Sequence, residues 1–128
     1  MTFDPRSFLD LATKLLYDAN YGEDARYRTC ISRAYYAAHL FTKEKLKEIG
    51  ATINIEKDER KGVIHDKVID TLETKNKNLG EMLAKLRDRR GDADYILGAK
   101  FTGYGIGLYI ADAEYIINEV DKLKKVKK

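Results

Sequence analysis

The residues of this chain best suited to chemistry are three arginines, Arg87, Arg89 and Arg90, and the short segment that follows them. Arg87 and Arg90 are three residues apart and share one helical face, so they are able to grip a phosphate group together. Asp94 and Tyr95 follow, and a phenol is able to donate a hydrogen bond to phosphate. A purely structural interpretation is slightly favoured over a phosphate site, because arginines in a last helical turn complement the helix dipole and pair with nearby aspartates.

A second cationic feature lies earlier in the chain, where Arg26 and Arg33 are seven residues apart and share a helical face. They form either a cationic strip for phosphate or salt bridges to acidic residues such as Asp92, Asp94 and Glu114. The salt-bridge interpretation is favoured, because half-buried arginines usually have carboxylate partners.

The two histidines, His39 and His65, lie on different predicted helices and lack the neighbouring ligands that a metal site needs. The sequence therefore predicts no metal site and no cofactor. His39 lies in an apolar helix and is expected to be a hydrogen-bonded structural residue, whereas His65 is expected to be partly exposed. Cys30, beside Ile31, is predicted to be a small buried hydrophobic residue and not a nucleophile.

Apolar residues recur at helical spacing along most of the chain, and this periodicity predicts five helices and no credible sheet. Asp4 is the expected cap of the first helix, and Gly50 is expected to end the second. Asn78 and Glu81 have the spacing of a capping box, and Gly91 is where the fourth helix is expected to stop. The predicted helices run from about Pro5 to Asp18, from Glu23 or Asp24 to Glu48, from near Asp58, from Asn78 to Gly91, and along the stripe from Ile106 to Leu123.

Two short segments interrupt this helical pattern. The stretch 51–57 alternates at Ile53 and Ile55 but is too brief to build a sheet. The glycines of Gly103-Tyr104-Gly105-Ile106-Gly107 invite comparison with phosphate-cradling loops, but no strand precedes them and no Lys-Ser/Thr pair follows. A loop that reverses direction before the last helix is the favoured explanation of these glycines.

Length and composition indicate one globular domain, residues 1–128, because a chain of this length is able to bury its own core. The expected architecture is an all-α, up-and-down antiparallel bundle of four to five helices. No stretch approaches eighteen consecutive apolar residues, and residues 1–5 lack the basic and apolar regions of a signal peptide. These features predict a cytoplasmic protein with no membrane association. The net charge of +3 is modest and depends on a lysine-rich end.

A resemblance to a known family rests on two segments, Ser32-Arg33-Ala34-Tyr35-Tyr36-Ala37-Ala38-His39 and Arg90-Gly91-Asp92-Ala93-Asp94-Tyr95. Together they resemble the HEPN domain (higher eukaryotes and prokaryotes nucleotide-binding). The similar branch contains small free-standing prokaryotic proteins with the pattern S-R-A-Y-Y-A, a histidine after a loop, and R-x-x-A-D-Y. His65 coincides with that histidine, and the resemblance extends from about Ser7 to the last helix.

HEPN proteins that cleave RNA are understood to do so without metal, using an arginine and a histidine a few residues apart, usually with two subunits facing each other. Such cleavage needs a base of near-neutral pKa and positive charge where the phosphorane forms. Arg90 occupies the arginine position, but Tyr95 falls five positions later and no histidine stands between them. A phenol, with a pKa of about 10, is a poor base at pH 7. The resemblance therefore supports a binding function more strongly than a catalytic one.

The leading hypothesis is a HEPN-like subunit that binds a nucleotide or an RNA phosphate and forms a homodimer. By resemblance it acts with a small nucleotidyltransferase in a two-component or toxin–antitoxin system, and Tyr95 is a conceivable acceptor of the transferred group. One alternative is a metal-independent endoribonuclease in which Arg90 acts with Tyr95 or a displaced His65, and another is a structural homo-oligomer. The candidate ligand-binding residues are Arg33, Arg87, Arg90, Asp94, Tyr95 and His65.

Overall fold

The computed structural model describes residues 3–51 and 61–125, and these residues form a compact all-α bundle without strands. The predicted all-α class is therefore confirmed. The start of the third helix near Asp58 and the alternation at Ile53 and Ile55 fall outside the described residues. The helices are α1 (Arg6–Leu15), α2 (Glu23–Glu48), α3 (Lys61–Lys75), α4 (Lys77–Tyr95) and α5 (Gly103–Asp121).

Helix α2 is the centre of the bundle and packs against each of the other four helices. Its middle carries the small residues Ala34, Ala37 and Ala38, all fully buried, so neighbouring helices approach its backbone closely. Tyr35 lies among them and is also fully buried, as expected for an aromatic ring that flanks such a contact.

The predicted apolar stripe of α5 is confirmed, because its members at helical spacing face the core. The buried residues of α5 are Ile106, Ile110, Ala113, Ile116, Ile117 and Val120.

Two predicted helix ends are confirmed by their backbone geometry. The carboxylate Oδ1 of Asp4 accepts a hydrogen bond from the Arg6 amide at 3.0 Å, which caps α1. At the end of α2, Gly50 adopts φ +77°, and the amide of Ala51 donates to the carbonyl of Leu46 at 2.8 Å. This is the glycine-dependent helix end expected from the sequence.

Three predicted helix ends are wrong in detail. Helix α4 is capped by Asn76, whose Oδ1 accepts from the Leu79 amide at 3.1 Å, and Asn78 lies inside the helix. Helix α2 begins after Gly22 without a side-chain cap, so neither acidic residue that follows serves that role. Helix α1 ends at Leu15, earlier than predicted.

Helix α4 does not stop at Gly91 but continues to Tyr95, which corrects the sequence prediction. The helix continues because the next turn still has an apolar residue to bury, Ala93, and because the Ile96 amide donates to the carbonyl of Asp92 at 3.0 Å. The consequence for the site is direct: the segment after Arg90 is helical, so side chains four residues apart stand above one another.

The predicted glycine loop is also corrected, because Gly103, Gly105 and Gly107 form the first turns of α5. Thr102 caps this helix, and its Oγ1 accepts from the Gly105 amide at 3.0 Å. A Cβ on Gly103 would lie 2.9 Å from the hydroxyl of Tyr27, so this glycine permits a close approach of α5 to α2. The connection between α4 and α5 is residues 96–102 alone.

One arginine of α2, Arg28, holds that connection in place. Its Nη1 donates to the carbonyls of Ala93 and Ile96 at 2.9 Å each. Its Nη2 donates to the carbonyls of Leu97 at 3.0 Å and Ala99 at 2.9 Å. A single planar guanidinium thus bonds one carbonyl in the last turn of α4 and three carbonyls in the segment after it. We refer to this arrangement as the Arg28 clamp.

None of the helices formed by the described residues is both long enough and apolar enough to cross a membrane.

Candidate functional site

The candidate site is a group of aromatic and cationic side chains around Tyr36, in the middle of α2. The guanidinium carbon of Arg33 lies 5.3 Å from the centroid of the Tyr36 ring, and that of Arg90, from α4, lies 5.2 Å from it. The imidazole of His65, from α3, lies 6.0 Å from the same ring centroid. We call this group the Tyr36 cluster; its members are Arg33, Tyr35, Tyr36, His39, His65, Arg90 and Tyr95.

The inner side of the Tyr36 cluster is made by Tyr35, His39 and His65. The hydroxyl of Tyr35 and Nδ1 of His65 share a short hydrogen bond that joins α2 to α3. The rings of His39 and His65 are stacked with centroids 4.2 Å apart and an angle of 13° between their planes. His65 is half-buried, as the sequence predicted, whereas His39 is only 3% exposed.

Burial keeps both imidazoles neutral at pH 7. It lowers the pKa of His39 to about 3, and the neighbouring His65 and nearby cations act in the same direction. Burial likewise lowers the pKa of His65 to about 4, assisted by the positive charges of Arg87 and Arg90 and opposed by Asp66. Burial raises the pKa of Tyr35, so its phenol stays protonated.

His39 differs from its predicted role in one respect. It is buried as expected, but its Nδ1 has no hydrogen-bond partner among residues 3–51 and 61–125. The Oγ1 of Thr42, three residues further along α2, is also buried and unpaired within the same part of the chain. The ring of His39 is therefore held by stacking on His65 and Tyr35, at centroid distances of 4.2 and 5.6 Å.

Arg33 forms the outer side of the cluster on α2. Its guanidinium carbon lies 4.7 Å from the Phe8 ring centroid, and its Nη2 donates to Oγ of Ser32 at 3.2 Å. No carboxylate among the described residues pairs with it, so the predicted salt bridge is wrong. The predicted acidic partners, Asp92 and Asp94, are instead paired with arginines of their own helix.

Arg26, predicted to share its role with Arg33, lies apart from the site. Its Nη1 donates to the carbonyls of Asp18 at 2.8 Å and Tyr21 at 3.0 Å, which closes the connection between α1 and α2. The salt-bridge interpretation is wrong here too, since these acceptors are backbone carbonyls. A continuous cationic strip along α2 is not formed.

Arg90 and Tyr95 form the outer side of the cluster on α4. Nε of Arg90 lies 2.8 Å from a carboxylate oxygen of Asp94, one helical turn away. The guanidinium carbon of Arg90 lies 5.7 Å from the ring centroid of Tyr95, which is 72% exposed. The terminal nitrogens of Arg90 make no hydrogen bond to any described residue.

The other two arginines of α4 point elsewhere. Arg87 pairs with Asp66 of α3, and its Nη2 donates to the carbonyl of Gly62 at 3.2 Å. Arg89 pairs with Asp92 at 3.0 Å on an exposed face. The structure thus supports the predicted pairing of aspartates with these cations, and Arg87 and Arg90 do not form a joint unpaired grip.

Of the six predicted ligand-binding residues, the structure brings Arg33, His65, Arg90 and Tyr95 into one cluster with Asp94 attached. Arg87 influences it through charge, because it helps to lower the pKa of His65. The sequence analysis missed Tyr36 as the ring that these residues share. Its position, three residues after Arg33 on a helix, was a usable signal.

Cys30 behaves as predicted. It is fully buried, its thiol lies 3.4 Å from the carbonyl of Ala12, and burial raises its pKa to about 11. Among residues 3–51 and 61–125, no three His, Cys, Asp or Glu side chains are grouped so that they could hold a metal ion.

Comparisons of the chain with protein-family models, with curated proteins and with solved structures found no match.

Proposed function

We propose that this protein is a binding subunit for a phosphate-bearing ligand, a nucleotide or an RNA phosphate, which binds at the outer side of the Tyr36 cluster. One observation carries the proposal: Arg33 is a half-buried guanidinium that no carboxylate of the described residues neutralises. Half-buried cations usually have an anionic partner, and a ligand phosphate is the chemistry that would complete this one.

Arg90 supports the same proposal from a second helix. Asp94 forms an ion pair with its Nε at 2.8 Å, but its terminal nitrogens remain able to donate, and it lies beside the same Tyr36 ring as Arg33. Two guanidinium carbons lie 5.3 and 5.2 Å from one ring centroid, so the cluster holds two cationic donor groups around Tyr36, which suits an anionic ligand. Aromatic support also reduces the side-chain entropy that binding would remove.

The partner in this proposal comes from the resemblance to HEPN proteins. A small nucleotidyltransferase in a two-component or toxin–antitoxin system is the expected partner, with the protein itself a homodimer. The expected contact region includes the exposed apolar residues at the end of α4 and just after it, Ile96 and Leu97.

A second candidate function, metal-independent RNA cleavage, is favoured by one observation. His65 is brought from α3 to within 6.0 Å of the ring that Arg90 also contacts, although the two are far apart in sequence. The neutral imidazole would accept the proton of the 2′-hydroxyl as that oxygen bonds to phosphorus, and Arg90 would stabilise the phosphorane. The bond to the 5′-oxygen then breaks, and this oxygen takes a proton from water. The low pKa of His65, about 4, makes it a weak base, so binding is the better-supported function.

The test compares the cluster residues Arg33 and Arg90 with Arg89, which is next to Arg90 in sequence but lies outside the Tyr36 cluster. Binding of ATP and of a short labelled single-stranded RNA is measured at low salt for the wild type, Arg33→Ala, Arg90→Ala and Arg89→Ala. We expect Arg33→Ala and Arg90→Ala to weaken binding about tenfold each, since each removes a charge-assisted contact. Arg89→Ala changes the net charge equally and is expected to leave binding within about twofold.

Circular dichroism on each variant separates lost binding from lost fold. A wild type that binds neither ligand contradicts the proposal, and so does an equal loss in all three variants, which would indicate a diffuse charge effect. RNA incubated with wild type and excess chelator tests the second candidate, since cleavage that Arg90→Ala and His65→Ala both abolish would establish it. Co-expression with the product of the adjacent reading frame, followed by co-purification, tests the partner.

A further inference from the structure

The most exposed side chain of the Tyr36 cluster has no packing role that explains its position. Tyr95 is the last residue of α4 and is 72% exposed, yet it lies beside the guanidinium of Arg90, 5.7 Å from carbon to ring centroid. A large aromatic ring presented to solvent next to a cation is the arrangement with which proteins bind single-stranded nucleic acids.

The ring stands at the end of a segment that the structure holds firmly. The Arg28 clamp bonds the carbonyl of Ala93 in the same turn as Tyr95 and the carbonyls of Ile96 and Leu97 directly after it. The side chain of Arg28 is only 15% exposed, and its bonds to the carbonyls of Ala93 and Ala99 are partly buried. A ring on such a support is preorganised, and a ligand that stacks on it loses little affinity to ordering.

From these observations we infer that Tyr95 is a stacking platform for a nucleobase whose phosphate is bound by Arg33 and Arg90. The inference rests on the proposed function and adds the class of ligand: a nucleotide unit with an exposed base, either free or within single-stranded RNA. Simple phosphate or a phosphoprotein would use the arginines but not the ring. Base-paired RNA would not offer a free base face to it.

Charge decides between this ligand and a protein partner at Tyr95. The exposed apolar neighbours Ile96 and Leu97 suit a protein contact, but they do not explain why the ring adjoins Arg90, whose guanidinium also lies beside the Tyr36 ring. A nucleotide matches both features, because its anion and its aromatic base are joined in one molecule.

The experiment uses the full chain and short single-stranded RNAs that contain one 2-aminopurine, a base whose fluorescence is quenched when it stacks. The variants are Tyr95→Ala, Tyr95→Phe and Tyr17→Ala; Tyr17 is another exposed tyrosine, 81% exposed, just after α1. We expect wild type to quench the probe and Tyr95→Ala to weaken binding about tenfold and abolish the quench. Tyr17→Ala is the unchanged control and is expected to match the wild type, whereas Tyr95→Phe keeps the aromatic ring and is expected to restore the quench that Tyr95→Ala abolishes.

Two further ligands make the result specific. An oligomer of the same length with abasic sites throughout should bind wild type and Tyr95→Ala equally, because it has phosphates but no base to stack. The 2-aminopurine nucleotide alone distinguishes a free nucleotide from RNA as the source of the base. If only the oligonucleotide binds, the site takes RNA; if both bind alike, one nucleotide unit satisfies it.

The outcomes separate this inference from the function on which it rests. If Arg90→Ala loses binding while Tyr95→Ala keeps both affinity and quench, stacking is wrong and phosphate binding stands. If Tyr95→Ala weakens the abasic RNA as much as the complete one, the ring acts otherwise than by stacking and the inference is overturned. If wild type binds none of these ligands, the inference and the proposed function fail together.

Discussion

The inner and outer sides of the Tyr36 cluster both contain basic side chains, but the inner side has neutral imidazoles and the outer side has guanidiniums. On the inner side, burial holds His39 and His65 neutral, with pKa values lowered to about 3 and about 4. On the outer side, the guanidiniums of Arg33 and Arg90 lie beside the Tyr36 ring. The inner side joins α2 to α3, and the ligand binding that we propose belongs to the outer side.

The largest expected effect is acid sensitivity that arises on the inner side. Histidines in the unfolded chain bind protons below about pH 6.5, whereas His39 and His65 in the folded chain do so only near pH 3 and 4. Between these limits the unfolded state binds more protons, so stability is fully present above about pH 6.5 and is lost as the pH falls. Urea unfolding should show a loss of about 4 kcal/mol between pH 7 and 4.5.

Carboxylates also contribute to acid sensitivity, so a variant isolates the imidazoles. His39→Leu removes one titrating group together with its unpaired Nδ1. We expect the pH-dependent loss of stability to shrink by about 2 kcal/mol in this variant, at little cost at pH 7. Identical pH profiles for the variant and the wild type would show that His39 is not held neutral by the fold.

The second effect concerns the Arg28 clamp, which holds the end of α4 next to the outer side. Arg28→Ala removes four hydrogen bonds from a largely buried guanidinium to backbone carbonyls and should lower the free energy of unfolding by about 3 kcal/mol. Arg28→Lys should restore less than half of this, because an ammonium lacks the planar fork. Arg89→Ala, which breaks an exposed ion pair, should cost less than about 0.5 kcal/mol. Equal losses in Arg28→Ala and Arg89→Ala would contradict the clamp.

The third effect compares two adjacent tyrosines across the boundary between the two sides. Tyr35→Phe leaves Nδ1 of His65 without its partner and should cost about 1 to 2 kcal/mol in urea unfolding. Tyr36→Phe removes a hydroxyl for which no hydrogen bond to the described residues is found, and should cost less than about 0.5 kcal/mol. If Tyr36→Phe cost more stability than Tyr35→Phe, the hydroxyl that stabilises the fold would belong to Tyr36, and the assignment of the two sides would be wrong.

The sequence predicted the fold better than it predicted where helices end. The stripe of α5 is a local periodic signal, and it is confirmed. Glycine lowers helix propensity, so the sequence predicts breaks at Gly91 and Gly103. Tertiary contacts outweigh that preference. Ala93, in the turn after Gly91, is buried in the core, and the missing side chain of Gly103 leaves room for the hydroxyl of Tyr27.

The candidate site was predicted in part for the same reason. Arg90, Asp94 and Tyr95 lie within one segment, so their proximity follows from local spacing. The meeting of His65 with Tyr35 depends on how α3 packs against α2, which no spacing along the chain encodes. The pairing of Arg28 with carbonyls far along the chain is hidden for the same reason, since a sequence shows side chains but not the acceptors that a fold exposes.

The smallest expected effect sharpens the role of Asp94, which stands at the edge of the outer side. Its carboxylate lies 2.8 Å from Nε of Arg90 and therefore competes with an anionic ligand for that guanidinium. Asp94→Asn should lower the free energy of unfolding by only about 0.3 to 0.5 kcal/mol and raise the affinity for single-stranded RNA about two- to fivefold at low salt.

Asp92→Asn is the matched control, because Asp92 pairs with Arg89 outside the cluster and its loss changes the net charge equally. An affinity gain in both variants would reflect net charge alone. A loss of affinity in Asp94→Asn would instead mean that the carboxylate accepts a hydrogen bond from the ligand, such as from a ribose hydroxyl. Asp94 would then belong to the binding surface itself, and the outer side would recognise sugar as well as phosphate.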